Sequence, residues 1–532
     1  MTGPSLLGVA ALVRAGALEE AWARLCAGGF PSGERAAVLA LEGRVLKERA
    51  AAAGGDDRSR LYRQAAQRYA EAADLSGTTY PLINAATLSL LSGAPAEAAS
   101  LAARVLERIR ADPEEPETPY WRAATGAEAL LLLDRKDEAR AAFADAVALA
   151  PRAWEDHAST LRQFGLILAA QGRDCAWLDG HRPPRSLHFA GHMSFDPAVS
   201  RREQFDRRIG EVLDEEKVGF GFGALAAGAD ILIAEALVER GAELNAVLPG
   251  GPEAFAAVSV DPFGEGWRRR FDALLAAAAT VRGVRPLGLL PGRLAVGLAD
   301  EIAMGAAVMN ARRLESRALQ LLVVPGDVAG AAPPRGQGRW AEAGGRRRIV
   351  AAPREAVAAG PRPRLSDGPY RRLALLIVPV GSGSRAPARL AAVAEALVDL
   401  PAPRLAPYFT GAEVVVAYSG VAEAGVAALA LAAAASEPDA PGVGAHYGLA
   451  ETLDDPFRGG TRVGGEAAAL AHAAAASAPP GSVCVTGDFA AALAGSSEAP
   501  LHAELVGELE GRSGGPPVDL YALKPRSGGA GA

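Results

Sequence analysis

Cysteine is scarce in this chain: Cys26, Cys175 and Cys484 are the only three in 532 residues. They are far apart, odd in number and form no CxxC pair. That excludes a disulfide framework and fits a reducing compartment. An excess of positive charge is also missing, with 55 basic against 62 acidic residues and a net charge of -7. Nothing electrostatic therefore points to nucleic acid as the main partner. The one basic cluster, Arg346-Arg347-Arg348, runs into apolar Ile349-Val350 and reads as a solvated strand entrance. No apolar run reaches the roughly 20 residues that a membrane span needs. The most apolar one, Val421 to Ala435, contains Glu423 and reads as a buried helix. The apolar residues from Leu6 to Leu12 have no basic residue ahead of them, so a signal peptide is not expected and the cytoplasm is. What is present is a globular composition, 50% hydrophobic and 22% charged, in a chain too long for one core. Two to four domains are expected.

Residues 1–178 read as helices throughout. A phrase recurs at their turns: Gly16-Ala17-Leu18-Glu19-Glu20-Ala21, Gly93-Ala94-Pro95-Ala96-Glu97-Ala98 and Arg135-Lys136-Asp137-Glu138-Ala139. Apolar helices flank each copy, and small alanines let paired helices approach closely. The pattern resembles tetratricopeptide repeats, with spacings that are not uniformly near 34 residues. An irregular helical bundle is the alternative. Either architecture offers a scaffold or a surface for a protein partner.

The texture changes at Pro183-Pro184. Strands and helices alternate over 185–350, which predicts a Rossmann-like α/β domain with a parallel sheet. In such sheets ligands sit beyond the carboxyl ends of strands, and a helix N-terminus there favours phosphate. The chain leaves its first strand at Gly191, and the segment Gly221 to Asp230 leads into a helix. The phrases Phe189-Ala190-Gly191-His192-Met193, Leu225 to Ala236, and Ala246-Val247-Leu248-Pro249 resemble the SLOG superfamily, the Rossmann-like group of the LOG phosphoribohydrolases and the DNA-processing A proteins. That resemblance implies a nucleotide or nucleotide-derived ligand near Gly191, His192, Gly221, Gly223, Gly228, Ala229, Asp230, Pro249 and Gly250. One departure matters. LOG enzymes carry PGGxGTxxE, whereas Pro249-Gly250-Gly251-Pro252-Glu253 lacks the Gly-Thr continuation. A sensing pocket is expected, with no cofactor required. The alternatives are a nucleotide hydrolase or N-glycosidase using Asp230, Glu235 and His192, or glycines that serve only turns and packing. His181, His188, His192 and Cys175 lie close in sequence but lack zinc-like spacing on one helix, so no metal is expected.

Residues 351–370 are rich in Gly, Pro and Ala and read as a linker. From Arg371 to about 525 the pattern resets to an α+β, ferredoxin-like domain. Leu375 to Ser384, Thr410 to Tyr418, Val443 to Gly448, Gly464 to His472 and Pro480 to Thr486 resemble, in that order, the strands and helix of class III nucleotidyl cyclases. The chemistry of that class needs two aspartates for two divalent ions, and an Asn and an Arg on a helix for the transferring phosphate. Those positions read Pro379, Ala412, Ala468 and His472, none of which can substitute. Glu413 adjoins Ala412 but, by strand alternation, is expected to face away. A pseudocyclase that docks or forms a homodimer is one reading, and an unrelated ferredoxin-like domain is the other. Gly381 to Ser384 could form a phosphate-cradling turn. The sequence thus yields three expectations: a non-catalytic signalling protein, an enzyme in the middle domain, or a pure scaffold.

Overall fold

A computed structural model of the chain describes residues 5–112, 118–195, 202–284, 290–326, 340, 345–355, 360–361, 363, 367–435, 442–496, 500–510 and 517–526. The chain divides into two compact units. One holds residues up to Pro183 with Arg313–Glu315, and the other holds Pro184–Arg312 with Ser316–Arg526.

The first unit is helical. Its helices are α1 (Leu6–Arg14), α2 (Leu18–Ala27), α3 (Arg35–Ala52), α4 (Gly55–Ser76), α5 (Thr79–Leu91), α6 (Pro95–Ala111), α7 (Pro119–Leu132), α8 (Lys136–Leu149) and α9 (Trp154–Ala170). The recurring phrase marks their turns. Gly16, Gly93, Asp134 and Gly172 take φ of 78°, 86°, 63° and 64°. After each, an N–H reaches back to a carbonyl in the last helical turn: Ala17 to Leu12, Ala94 to Ser89, Arg135 to Leu130 and Arg173 to Leu168. Each is a left-handed helix stop that satisfies otherwise orphaned carbonyls. The third copy has no glycine, and Asp134 takes the left-handed position, which aspartate tolerates better than most side chains.

Consecutive helices pack in antiparallel pairs, and Tyr69 of α4 lies flat where Gly43 of α3 leaves no Cβ. The interior also holds a polar cluster. The Thr87 hydroxyl on α5 donates to Glu128 on α7 at 2.6 Å, in a buried setting. Burial pushes the Glu128 carboxyl up to about 7, against the opposing pull of Thr87 and Lys47. A carboxyl raised in the folded state stabilises fully below its unfolded value and loses that contribution as pH rises through the folded one. Lys47, also desolvated, is held below its ordinary value. Glu128 by itself is therefore expected to make the helical unit more stable at pH 5 than at pH 8, by about 2–3 kcal/mol. Glu128→Gln should flatten that dependence in urea titrations followed by circular dichroism.

The second unit holds two sheets. The first is built from β1 (Arg185–Gly191), α10 (Arg202–Glu215), β2 (Val218–Gly223), α11 (Ala229–Glu239), β3 (Glu243–Leu248), α12 (Pro252–Ser259), α13 (Glu265–Ala277), β4 (Thr280–Gly283), α14 (Arg293–Arg313), β5 (Ala318–Val324) and β6 (Arg346–Ala351). Its six strands are ordered β4-β3-β2-β1-β5-β6, and every pairing is parallel. The run Gly219-Phe220-Gly221-Phe222-Gly223 lies within strand β2, so Gly221 and Gly223, expected near a ligand, are strand residues. A Cβ on Gly221 would collide with Leu237 of α11, and one on Gly223 would meet the Phe189 ring at 2.8 Å. Glycine alternation here lets α11 and Phe189 lie against the strand.

The second sheet follows as β7 (Tyr370–Pro379), α15 (Ala386–Val398), β8 (Leu405–Phe409), β9 (Glu413–Tyr418), α16 (Val421–Ala434), β10 (Val443–Asp454), β11 (Thr461–Gly464), α17 (Gly465–Ser477), β12 (Val483–Thr486), α18 (Gly487–Ala494), β13 (Leu501–Leu509) and β14 (Val518–Pro525). Its eight strands are mixed in direction, ordered β13-β14-β12-β10-β7-β9-β8 with β11 on β10. Strands β8 and β11 are additions to the sequence reading. Their short, partly exposed runs carry a weak alternation signal.

The two sheets are tied together along α14. Glu301 is buried, and it accepts from Arg372 Nη1 of β7 at 2.9 Å and from the Tyr447 hydroxyl of β10 at 3.1 Å. Gly305 has no room for a Cβ, because the Ala491 carbonyl of α18 occupies that place. Arg282 of β4 pairs with Asp488 of α18 at 2.7 Å. Helix α14 is long and apolar enough to cross a membrane by length and composition alone, yet 56% of its most apolar window is buried inside the protein. Described residues of the segment read as a linker are bonded into the first sheet's layer. Ala352 N–H donates to Val324, Glu355 to Ser194 and Gly360 to Pro262, and Asp367 accepts from Leu294 N–H at the start of α14. Residues 356–359, 362 and 364–366 lie outside the described residues.

Candidate functional site

The first sheet turns at β1. From there the chain builds outward through β2, β3 and β4 on one side, then crosses to β5 and β6 on the other. The crevice beyond the carboxyl ends of β1 and β5 is where an open parallel sheet accommodates a ligand. Of the nine residues expected near a ligand, five meet there. A Cβ on Gly191 would collide with Ala229 and lie 2.9 Å from Val323 Cβ. Gly228 has φ 96°, and a Cβ on it would be 2.8 Å from the His192 carbonyl. Ala229 N–H donates to that same carbonyl at 3.2 Å. Gly191, His192, Gly228, Ala229 and Asp230 thus form one backbone junction between β1 and the N-terminus of α11. Gly221 and Gly223 are strand residues packed on Leu237 and Phe189, as described. Pro249 and Gly250 are buried at the end of β3, where the Gly250 carbonyl would lie 3.0 Å from a Cβ on Gly283.

Asp230 is the clasp of the junction. Its carboxylate accepts from Gly191 N–H at 2.9 Å and is only 7% exposed. Burial pushes it up to about 8. The Gly191 and Ala226 N–H groups oppose that rise, and the nearby Asp300 charge adds to it. His192 is committed to the backbone: its Nδ1 accepts from Ser194 N–H, so Nε2–H donates to the Ala352 carbonyl at 3.1 Å, and its ring stacks on Phe195. Glu235, the third candidate for an enzymatic role, is held by Arg270, which itself lies 4.4 Å over the Trp267 ring. None of these three side chains is placed as a free acid or base.

A buried polar row escaped the sequence reading. His188, Gln320 and Arg347 are register partners across β1, β5 and β6. Arg347 Nε donates to Gln320 Oε1 at 2.6 Å, and Gln320 Nε2 donates to His188 Nδ1 at 3.1 Å. His188 Nε2 must then carry the proton, which it donates to Asp300 of α14 at 3.1 Å. Each residue alone resembles an ordinary strand or helix position, and only the register aligns them.

The basic cluster is less solvated than expected. Arg346 and Arg348 each reach Glu216 at 2.7 Å, and Arg185 reaches it at 3.1 Å. Burial works to raise the Glu216 carboxyl, but the arginine hydrogen bonds prevail and hold it low. The arginines pin the end of α10 to β1 and β6. The four residues weighed for zinc are used separately. His181 packs on Phe143 and Trp177, His188 joins the polar row, His192 is capped by backbone, and Cys175 is exposed. Among the described residues, no group of three or more His, Cys, Asp or Glu converges on a point that could hold a metal ion.

The second sheet carries a cleft of about 390 Å³, lined by Ile377, Tyr408, Thr410, Val415, Arg458 and His472 among others. Ala468 is on its wall, Pro379 ends β7 just beyond Ile377, and Ala412 sits in the turn before β9. Glu413 is placed differently from the sequence expectation. It begins β9 opposite Pro379, so its side chain shares the face of Ile377 and Val415. Strand alternation misled because Ala412 is not in the strand. The Glu413 carboxylate is occupied, pairing with His472 Nδ1 at 2.9 Å. Asp455, also on the wall, is held low by the Phe457 and Arg458 N–H groups and by Arg462. In the turn that follows, Val380 and Gly381 N–H groups both point at the Ala412 carbonyl, at 2.9 and 3.2 Å. These bonds take two donors that a phosphate cradle would use.

A family model described as Tetratricopeptide Repeats-Sensor matches residues 7–89, which span α1 to α5. The N-terminal helices therefore include a repeat region of that type. No curated protein matches the chain. Among solved structures it is similar to an adenylate cyclase from Trypanosoma brucei in its monomeric state, at 15% identity and TM-score 0.25 over 31% of this chain and 93% of that one. It is also similar to the adenylyl cyclase CyaB from P. aeruginosa, at 12% identity and TM-score 0.24 over 29% of this chain and 94% of that one. The guanylyl cyclase Cya2 aligns at 14% identity and TM-score 0.22 over 29% and 92%. At these levels of similarity they define neither activity nor substrate for this chain.

The junction makes one energetic prediction. Asp230→Ala leaves the Gly191 and Ala226 N–H groups without their acceptor, at about 1–3 kcal/mol each. Asp230→Asn keeps one acceptor and should cost clearly less. Urea denaturation of the two variants side by side checks the order.

Proposed function

We propose that this chain is a non-catalytic cytoplasmic signalling protein. Its first sheet, which resembles the SLOG superfamily, binds a nucleotide-derived ligand beyond the end of β1. Its helical repeats recruit a protein partner. Its second sheet, cyclase-like in its sequence phrases, serves assembly, including self-association, and not cyclic-nucleotide synthesis.

The observation that carries this reading is the turning point of the first sheet. Gly191 and Gly228 let the β1 exit and the N-terminus of α11 come into direct contact, and a helix N-terminus at the carboxyl edge of a parallel sheet suits an anionic group. The second sheet supports the non-catalytic part. Pro379, Ala412 and Ala468 offer no metal or phosphate ligand, and the Glu413 carboxylate is paired with His472. One occupied carboxylate cannot hold two divalent ions.

The test is a pair of assays on the purified full chain. ATP or GTP with Mg²⁺ or Mn²⁺ is expected to yield no cyclic nucleotide. A panel of ATP, GTP, NAD⁺ and ADP-ribose is expected to include at least one compound that raises the melting temperature. Gly228→Trp should abolish that rise. Steady cyclic-nucleotide production, or a flat response to the whole panel, would sink the proposal.

A further inference from the structure

The cleft of the second sheet, at about 390 Å³, has the size of a small-molecule site. Its floor is apolar, made by Ile377 of β7, Val415 of β9, Val463 of β11 and Ala468 of α17. The carboxylates at its edge are already engaged. Glu413 pairs with His472 Nδ1 at 2.9 Å, and Asp455 pairs with Arg462 Nε at 3.1 Å. Asp455 Oδ1 also accepts from the Phe457 and Arg458 N–H groups, at 2.9 and 3.1 Å. One cation on the wall differs. The Arg458 guanidinium has no ion pair or hydrogen bond among the described residues.

The turn that carries Arg458 is built without help from a ligand. Asp455 closes it, and Arg462, which holds Asp455, lies with its Cζ 4.3 Å over the Tyr408 ring. Val463 N–H donates to the Tyr408 hydroxyl at 3.3 Å. Strand β8 and the β10–β11 hairpin therefore form one wall. On α17, Glu413 takes Nδ1 of His472, and Nε2 has no protein partner among the described residues. An unpaired guanidinium beside an apolar floor, with the neighbouring carboxylates spent, suits an anion that carries an apolar body. A metal–nucleotide complex does not fit this charge pattern, because no carboxylate is free to hold the ion.

We propose that this cleft binds a small amphiphilic anion, a carboxylate or phosphate monoester on an apolar body. Arg458 grips the head group, and Ile377, Val415 and Ala468 receive the body. The sheet assigned to assembly thereby has a ligand site of its own. This inference stands apart from the reading of the first sheet, and none of its probes is a nucleotide, so either can fail without the other.

The experiment titrates the full chain with phenyl phosphate and with benzoate, and reads dissociation constants by ligand-observed NMR. Inorganic phosphate, which lacks the body, and benzylamine, which reverses the charge, serve as comparisons. At least one aromatic anion is expected to bind with a dissociation constant of about 1 mM or tighter. Tighter binding of phenyl phosphate supports a phosphate head group, and tighter binding of benzoate a carboxylate. Arg458→Ala removes an exposed side chain with no protein partner, so the fold is preserved, and it should weaken binding about ten-fold or more. Ala468→Trp should fill the cleft and abolish binding. Arg110→Ala, on the helical unit, should leave it unchanged. If the tryptophan variant does not fold, Arg458→Ala decides alone. No binding of either aromatic anion, or wild-type affinity in Arg458→Ala, overturns the proposal. Equal affinity for inorganic phosphate or for benzylamine overturns the ligand class.

Discussion

The second unit depends on one close backbone contact. The His192 carbonyl meets Ala229 N–H where Gly191 and Gly228 carry no side chains. That contact sets how α11 enters against β1, and so where Leu237 falls on Gly221. It also brings Asp230 to Gly191 N–H. A methyl at either glycine would push helix and strand apart and remove the clasp.

Helix α14 extends that constraint to the second sheet. Asp300 looks toward β1 through His188, and the next residue, Glu301, is buried between Arg372 and Tyr447. Gly305 brings the helix backbone against Ala491, which leaves no slack at that crossing. The two sheets therefore share one compact unit even though the sequence pattern resets at Arg371. The cleft of the second sheet has the opposite character. Its carboxylates are engaged locally, Glu413 by His472 and Asp455 by Arg462.

Much of the fold was legible because it rests on local signals. The turn phrases of the helical unit mark real helix stops, and the alternation of strands and helices gave the parallel sheet. The junction residues Gly191, Gly228 and Asp230 were legible as a phrase. Three features were not. Gly221 and Gly223 read as ligand-side glycines until Leu237 and Phe189 are seen to need their bare face. Glu413 was turned the wrong way because the start of β9 is set by its pairing with Pro379, which alternation alone does not reveal. The row from Arg347 to Asp300 spans strands distant in sequence, and only parallel register aligns them. Long-range register is what a local reading lacks.

The central claim is that ligand binding occurs beyond the end of β1. Hydrogen–deuterium exchange on the full chain, with and without the most stabilising nucleotide of the panel, tests it most directly. The account predicts new protection concentrated in 189–193 and 226–232. Protection confined to the second sheet's cleft, around 408–415 and 455–472, with none at the end of β1, would contradict it.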